Sequence, residues 1–138
     1  SEAIAGLAQA ALSPWRMELG HTPGGAVVIN DAYNANAIST GAALYSLAAL
    51  ASARPVAVLG TMAELGERHE RDHQAMAALC QQLHIRLIAY QEPSYGVEPL
   101  QDFDEVIEAL GELTSFDAVL IKGSRVAGLE ELAARLLG

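Results

Sequence analysis

Cysteine, basic residues and aromatics are all scarce in this chain of 138 residues. Cys80 is its one cysteine, so no internal disulfide can form and no C-x-x-C pair exists to hold zinc. A reducing cytoplasm is the expected compartment. Eight Lys and Arg stand against 17 Asp and Glu, a net charge of -9, which argues against nucleic acid or an anionic membrane surface as the main partner. No apolar run reaches the roughly 18 residues that a bilayer span needs, and the N-terminus lacks a signal-peptide pattern. Neither GxxxxGK[ST] nor G-x-G-x-x-G occurs, so the loops that most often cradle phosphates are missing. Internal repeats and low-complexity segments are absent as well.

What is present is a folded composition, 51% hydrophobic and 18% charged, at the usual length of one domain with one core. Four short apolar runs, "AVVIN", "PVAVLG", "IRLIAY" and "DAVLIKG", show no polar alternation and read as strands buried on both faces. Helical patterns separate them, over Asn36–Ser52, Glu67–Leu83 and Asp104–Leu113, and "VAGLEELAARLL" closes the chain as a further helix. Before the first run, "WRMEL" and "GHTPGG" read as a strand and the turn of a hairpin. The expected fold is α/β, a Rossmann-like doubly wound sheet, mostly parallel with one antiparallel strand, in a single domain. Residues 1–12 read as a connector helix from a preceding domain, and residues 13–138 as the domain itself.

In such a sheet ligands sit beyond the carboxyl ends of the strands, which selects "NDAYNAN", "GTMAELGE", "YQEPSYG" and "KGSR". Asp31 lies where the first parallel strand leaves the sheet, with Asn34 and Asn36 at the start of the next helix. A carboxylate and amides suit ribose hydroxyls and a base edge, while an asparagine there is equally suited to capping the helix. In "KGSR", Gly123 permits a tight turn into a helix whose free N–H groups can hold a carboxylate or phosphate. Lys122 and Arg125 add positive charge. The plainer alternative is a solvated loop paired with surface acids.

"HERDH" fits the H-E-x-x-H zinc pattern, with His69 and His73 one helical turn apart. His73 continues into Met76, Cys80 and Leu83 at helical spacing, so it belongs on or beside the buried stripe, with His69 exposed near the helix start. His21 and His84 have no ligand-like spacing and no third ligand is evident, so no metal site is expected.

Three motifs, "NDAYNAN", "LGTMAELGE" with His73 nine residues after Glu64, and "KGSRVAGLEEL", together resemble the C-terminal domain of the Mur ligases. "WRMEL" resembles that domain's first strand, and the resemblance covers residues 13–137. It implies an ATP-dependent enzyme forming a carbon–nitrogen bond in peptidoglycan synthesis, of the branch joining D-alanyl-D-alanine to a UDP-N-acetylmuramoyl-tripeptide. An N-terminal domain would hold the UDP-sugar peptide, and a central domain would supply the P-loop and most of the Mg²⁺ binding. This domain would close over ATP and bring in the dipeptide, with no catalytic residue of its own and no activity alone. Carried over by position, Asp31 resembles the ribose contact, Asn34 and Asn36 nucleotide-side contacts, and Lys122, Ser124 and Arg125 the dipeptide-side loop. Thr61 departs from an acidic residue usual in the family, Ala37 from a proline, and "AYQEPSYG" from the usual strand end. His73 matches a family histidine and His69 does not. The alternatives are a stand-alone nucleotide-binding or regulatory α/β module, or another amide ligase of the same superfamily.

Overall fold

The computed structural model describes residues 18–31, 36–50, 53–63, 65–124 and 127–138. The expected connector helix, and residues 15–17 of the first strand candidate, lie outside them. Five strands form one sheet. They are β1 (Glu18–His21), β2 (Val27–Asp31), β3 (Arg54–Leu59), β4 (Arg86–Ala89) and β5 (Asp117–Lys122), in the order β1-β2-β5-β3-β4. β1 pairs antiparallel with β2 through the expected hairpin, whose turn is closed by Thr22 Oγ1 accepting from the Ala26 amide and by Gly25 at φ +99. The remaining pairs are parallel.

Alternation along the strands divides the core into two layers, because successive side chains point to opposite faces. Ile29, Ala57, Leu59 and Leu120 face α1 (Ala37–Ala49) and α2 (His69–Gln82), and pack on Leu44, Leu47, Met76 and Cys80. Val28, Val58, Val119 and Ile121 face α3 (Phe103–Leu110) and α4 (Glu130–Leu137), meeting Val106, Leu110, Leu132 and Ala133. Helices on both faces of a mostly parallel sheet make the fold doubly wound, as the four unalternating runs imply. The α2 stripe is the expected one, with His73, Met76 and Cys80 buried. Burial pushes the Cys80 thiol up to about 12, so it behaves as a core group and not as a nucleophile.

Helix ends follow local chemistry. Asp102 caps α3 by accepting from the Glu105 amide at 2.8 Å, and Gly111 at φ +67 ends it at Leu110, three residues before the sequence pattern suggested. β5 is inserted between β2 and β3, and all six of its residues are buried, including the charges at its two ends. That insertion sets Lys122 in register with Asp31 on one side and Leu59 on the other. The candidate ligand edge is therefore built around the end of β5.

Candidate functional site at the carboxyl edge

Asp31 and Lys122, which the sequence reading assigned to different ligands, are held together. Lys122 Nζ lies 2.9 Å from Asp31 Oδ2, with the two side chains 2% and 10% exposed. Parallel register puts both at the strand ends, so the pair forms where β2 and β5 leave the sheet. Removing two charges from water costs several kcal/mol each before their attraction offsets it, so a pair this buried is weak evidence of stabilisation.

Next to it the loops after β3 and β5 touch backbone to backbone. The Gly60 amide donates to the Lys122 carbonyl at 2.9 Å, extending the β3–β5 ladder by a step, and the Ser124 amide donates to the Thr61 carbonyl at 2.9 Å. A Cβ on Gly123 would sit 2.9 Å from Leu129 Cδ1 and 3.3 Å from Gly60 Cα, so this approach favours glycine. Ser124 is 2% exposed, and its Oγ is buried without a hydrogen-bond partner among the described residues. An unsatisfied buried hydroxyl costs about 1–3 kcal/mol.

Asn36 caps α1, with Oδ1 accepting from the Ser39 amide at 2.8 Å and Ser39 Oγ accepting from the Asn36 amide at 3.2 Å. Its carbonyl oxygen is thus engaged, and its side chain is exposed at the helix start. Asn34 and Arg125 lie outside the described residues.

The H-E-x-x-H helix acquires a partner that spacing could not show. Glu92, in the loop after β4, brings Oε1 to 3.2 Å from His69 Nε2 and 3.9 Å from His73 Nε2, so the expectation of no third ligand-capable group is corrected. His69 is also less free than expected, at 40% side-chain exposure and paired with Glu92. The loop turns back through a short helical turn, Pro93–Tyr95, which returns Glu92 toward α2. Burial alone would raise the Glu92 carboxyl. Hydrogen bonds from the Ser94 side chain and amide, Thr61 and His69 overcome it and hold the pKa at about 2.

His73 is fully buried, and both its ring nitrogens are in use. Nε2 accepts from the Met62 amide at 2.9 Å, so the ring proton sits on Nδ1, 2.6 Å from the His69 carbonyl that receives it. Burial, offset in part by that backbone hydrogen bond and by Glu92, lowers its pKa and keeps it neutral at pH 7. A zinc ion would have to displace the Met62 amide from the one lone pair it needs. The cluster is built as a hydrogen-bond network, and Tyr95 completes it by donating to the Gly60 carbonyl at 2.6 Å with its ring edge against His73. The sequence reading selected the stretches that hold Met62, Glu92 and Tyr95 but singled out none of the three, and it missed their contacts with the α2 histidines. The available signal was Glu92 ahead of Pro93, an acidic N-cap before a proline at the first turn.

Residues 15–125 match the family described as Mur ligase, glutamate ligase domain. The UDP-N-acetylmuramoyl-tripeptide–D-alanyl-D-alanine ligase of Mycobacterium leprae is 33% identical over 167 residues, covering 99% of this chain and 32% of that protein. The Bacillus subtilis protein of the same name is 30% identical over 152 residues, covering 99% of this chain and 33% of its own length. Among solved structures, the MurF ligase from Thermotoga maritima in complex with ADP superposes with a TM-score of 0.78 at 23% identity, over 91% of this chain and 31% of that one. MurF from Acinetobacter baumannii gives 0.77 at 25% identity, over 97% and 32%. The chain spans about a third of the length of the curated relatives it matches.

Proposed function

We propose, for a chain that belongs to the Mur ligase family through its glutamate ligase domain, that it serves as the C-terminal domain of a UDP-N-acetylmuramoyl-tripeptide–D-alanyl-D-alanine ligase. Residues 13–138 form that domain, residues 1–12 its connector, and the N-terminal and central domains of the same polypeptide complete the enzyme in the cytoplasm. ATP is a substrate: its γ-phosphoryl group passes to the tripeptide carboxylate, ADP leaves, and the dipeptide amine displaces phosphate from the acyl carbon to form the amide. The observation that carries this reading is the buried Asp31–Lys122 pair joining the carboxyl ends of β2 and β5, at the edge where this fold takes ligands.

Each candidate residue then has a task. Lys122 holds Asp31 Oδ2, and Asp31 presents Oδ1 to the ribose hydroxyls of ATP. Asn36, at the start of α1, and Asn34 serve the nucleotide side. Ser124 Oγ and the Arg125 guanidinium receive the dipeptide carboxylate, a group that the planar guanidinium fork suits well. Mg²⁺ prefers an all-oxygen shell, and the one ligand-rich group among the described residues, His69, His73 and Glu92, is mostly nitrogen. The residues present do not fit Mg²⁺, and the central domain is its place.

The test uses the whole ligase. Asp31→Asn keeps an oxygen for Lys122 but removes the charge facing ribose, and should lower kcat/KM for ATP by roughly 10- to 150-fold, the equivalent of about 1.5–3 kcal/mol. Arg125→Ala should raise KM for the dipeptide far more than for ATP, and Arg125→Lys should recover little of it. Folded variants with unchanged kinetics would reduce both residues to structural roles.

A further inference from the structure

We infer that His73 is a positioning residue for Ser124, acting through the single peptide group that joins Thr61 to Met62. The N–H of that group donates to His73 Nε2 at 2.9 Å, and its C=O accepts from the Ser124 amide at 2.9 Å. A peptide group is planar, so its N–H and C=O turn as one rigid unit. The orientation of the imidazole therefore sets the height and tilt of the Ser124 amide, and with it the buried, unpartnered Oγ. In a low-dielectric interior the two hydrogen bonds also polarise one another through the amide.

The imidazole itself has little freedom. Its Nδ1 is held by the His69 carbonyl, its ring lies edge-on to Tyr95 at 4.8 Å between centroids, and Tyr95 fixes the preceding carbonyl, that of Gly60. On the far side of the loop the Gly60 amide is held by the Lys122 carbonyl at 2.9 Å, and a Cβ on Gly123 would lie only 3.3 Å from Gly60 Cα, so the two loops approach closely. The charged and titratable groups facing His73 are His69 and Asp72 of α2, and Glu92 and Tyr95 of the loop after β4. Once protonated on Nε2, the ring donates where it now accepts, and the Met62 amide must turn away.

The inference rests on the reading that Ser124 lies on the dipeptide side, and the experiment separates the two. In the whole ligase, Ser124→Ala tests that reading and His73→Phe tests the relay, since phenylalanine fills the pocket without an acceptor. His73→Phe should lower kcat/KM for D-alanyl-D-alanine roughly 10- to 100-fold, the range for small misplacements, with KM for ATP within about twofold. His73→Gln, whose side-chain oxygen can accept from Met62, should restore most of it and remove the acid limb of the wild-type pH profile for dipeptide KM. If Ser124→Ala changes nothing, the dipeptide-side reading is wrong. If Ser124→Ala raises dipeptide KM while His73→Phe leaves it unchanged, or shifts ATP and dipeptide equally, the relay is overturned. Should the variants not fold, selectively ¹⁵N-labelled wild-type protein decides. The Met62 and Ser124 amide signals should titrate together with the His73 ring, and independent titration refutes the coupling.

Discussion

Strand β5 begins and ends on an ion pair, and the two pairs are built differently. At its amino end Asp117 accepts from Arg54 Nε at 2.9 Å, from the Thr114 amide at 2.8 Å and from Thr114 Oγ1 at 3.3 Å, while the Arg54 side chain is 58% exposed. Burial would raise the Asp117 carboxyl, but the Arg54 hydrogen bond and the Thr114 contacts hold it below the usual range. At the carboxyl end both partners are withdrawn from water, as Lys122 and Asp31. The first pair closes a sheet edge at little desolvation cost, because its cation keeps its hydration. The second carries a large desolvation penalty, because neither partner keeps its hydration. A cleft of about 600 Å³ lies beside Arg54 and Asp117, also lined by His84, Arg86 and Glu112. It is at the amino edge, the end of the strands that this architecture does not use for ligands.

Breaking the buried pair should give the largest effect. Lys122→Met strands Asp31 and should cost about 3–5 kcal/mol in urea unfolding. Adding Asp31→Asn removes the stranded charge and should return stability to within about 1–2 kcal/mol of wild type, with kcat/KM for ATP in the whole ligase still lowered. A double variant as unstable as the single one would show that both ends of β5 are structural, and the contrast would collapse.

Glu92 gives a second buried carboxylate at the same edge, stabilised by hydrogen bonds instead of a buried cation. Its pKa of about 2 lies below the ordinary 4.5, so its stabilisation is complete above pH 4.5 and lost as pH falls from there to 2. The loss amounts to roughly 3 kcal/mol, and Glu92→Gln should flatten that limb of the stability curve. His73 contributes in the same direction at higher pH. Its lowered pKa means that stability present above 6.5 begins to fall below it, and His73→Gln should remove this earlier decline.

At the amino edge the effect should be smaller. Arg54→Ala leaves Asp117 its Thr114 partners and should lower Tm by only a few degrees, with ligation kinetics unchanged. A loss of activity there would extend function to both ends of the strand. Least of all, zinc at stoichiometric levels should leave Tm where it is, because His73 has no lone pair to give. A strong, chelator-reversible rise would mean that Met62 yields its place and that the cluster is a metal site.

Much of this was legible along the chain. Short unalternating runs such as "DAVLIK" could only be strands buried on both faces, and the helical spacing of His73, Met76 and Cys80 fixed the inner face of α2. Asn36 announced its helix, and the carboxyl-edge rule pointed to Asp31 and Ser124. These features depend on neighbours within one or two turns, and local periodicity and capping encode them directly. Tertiary structure alone decided that β5 enters between β2 and β3, joining Lys122 to a carboxylate 91 residues away. It also decided that Glu92 folds back onto His69 and His73, and that one peptide between Thr61 and Met62 links His73 to Ser124. Such contacts arise from how crossovers order the strands and how loops pack at their ends, and no periodicity in the intervening sequence records them.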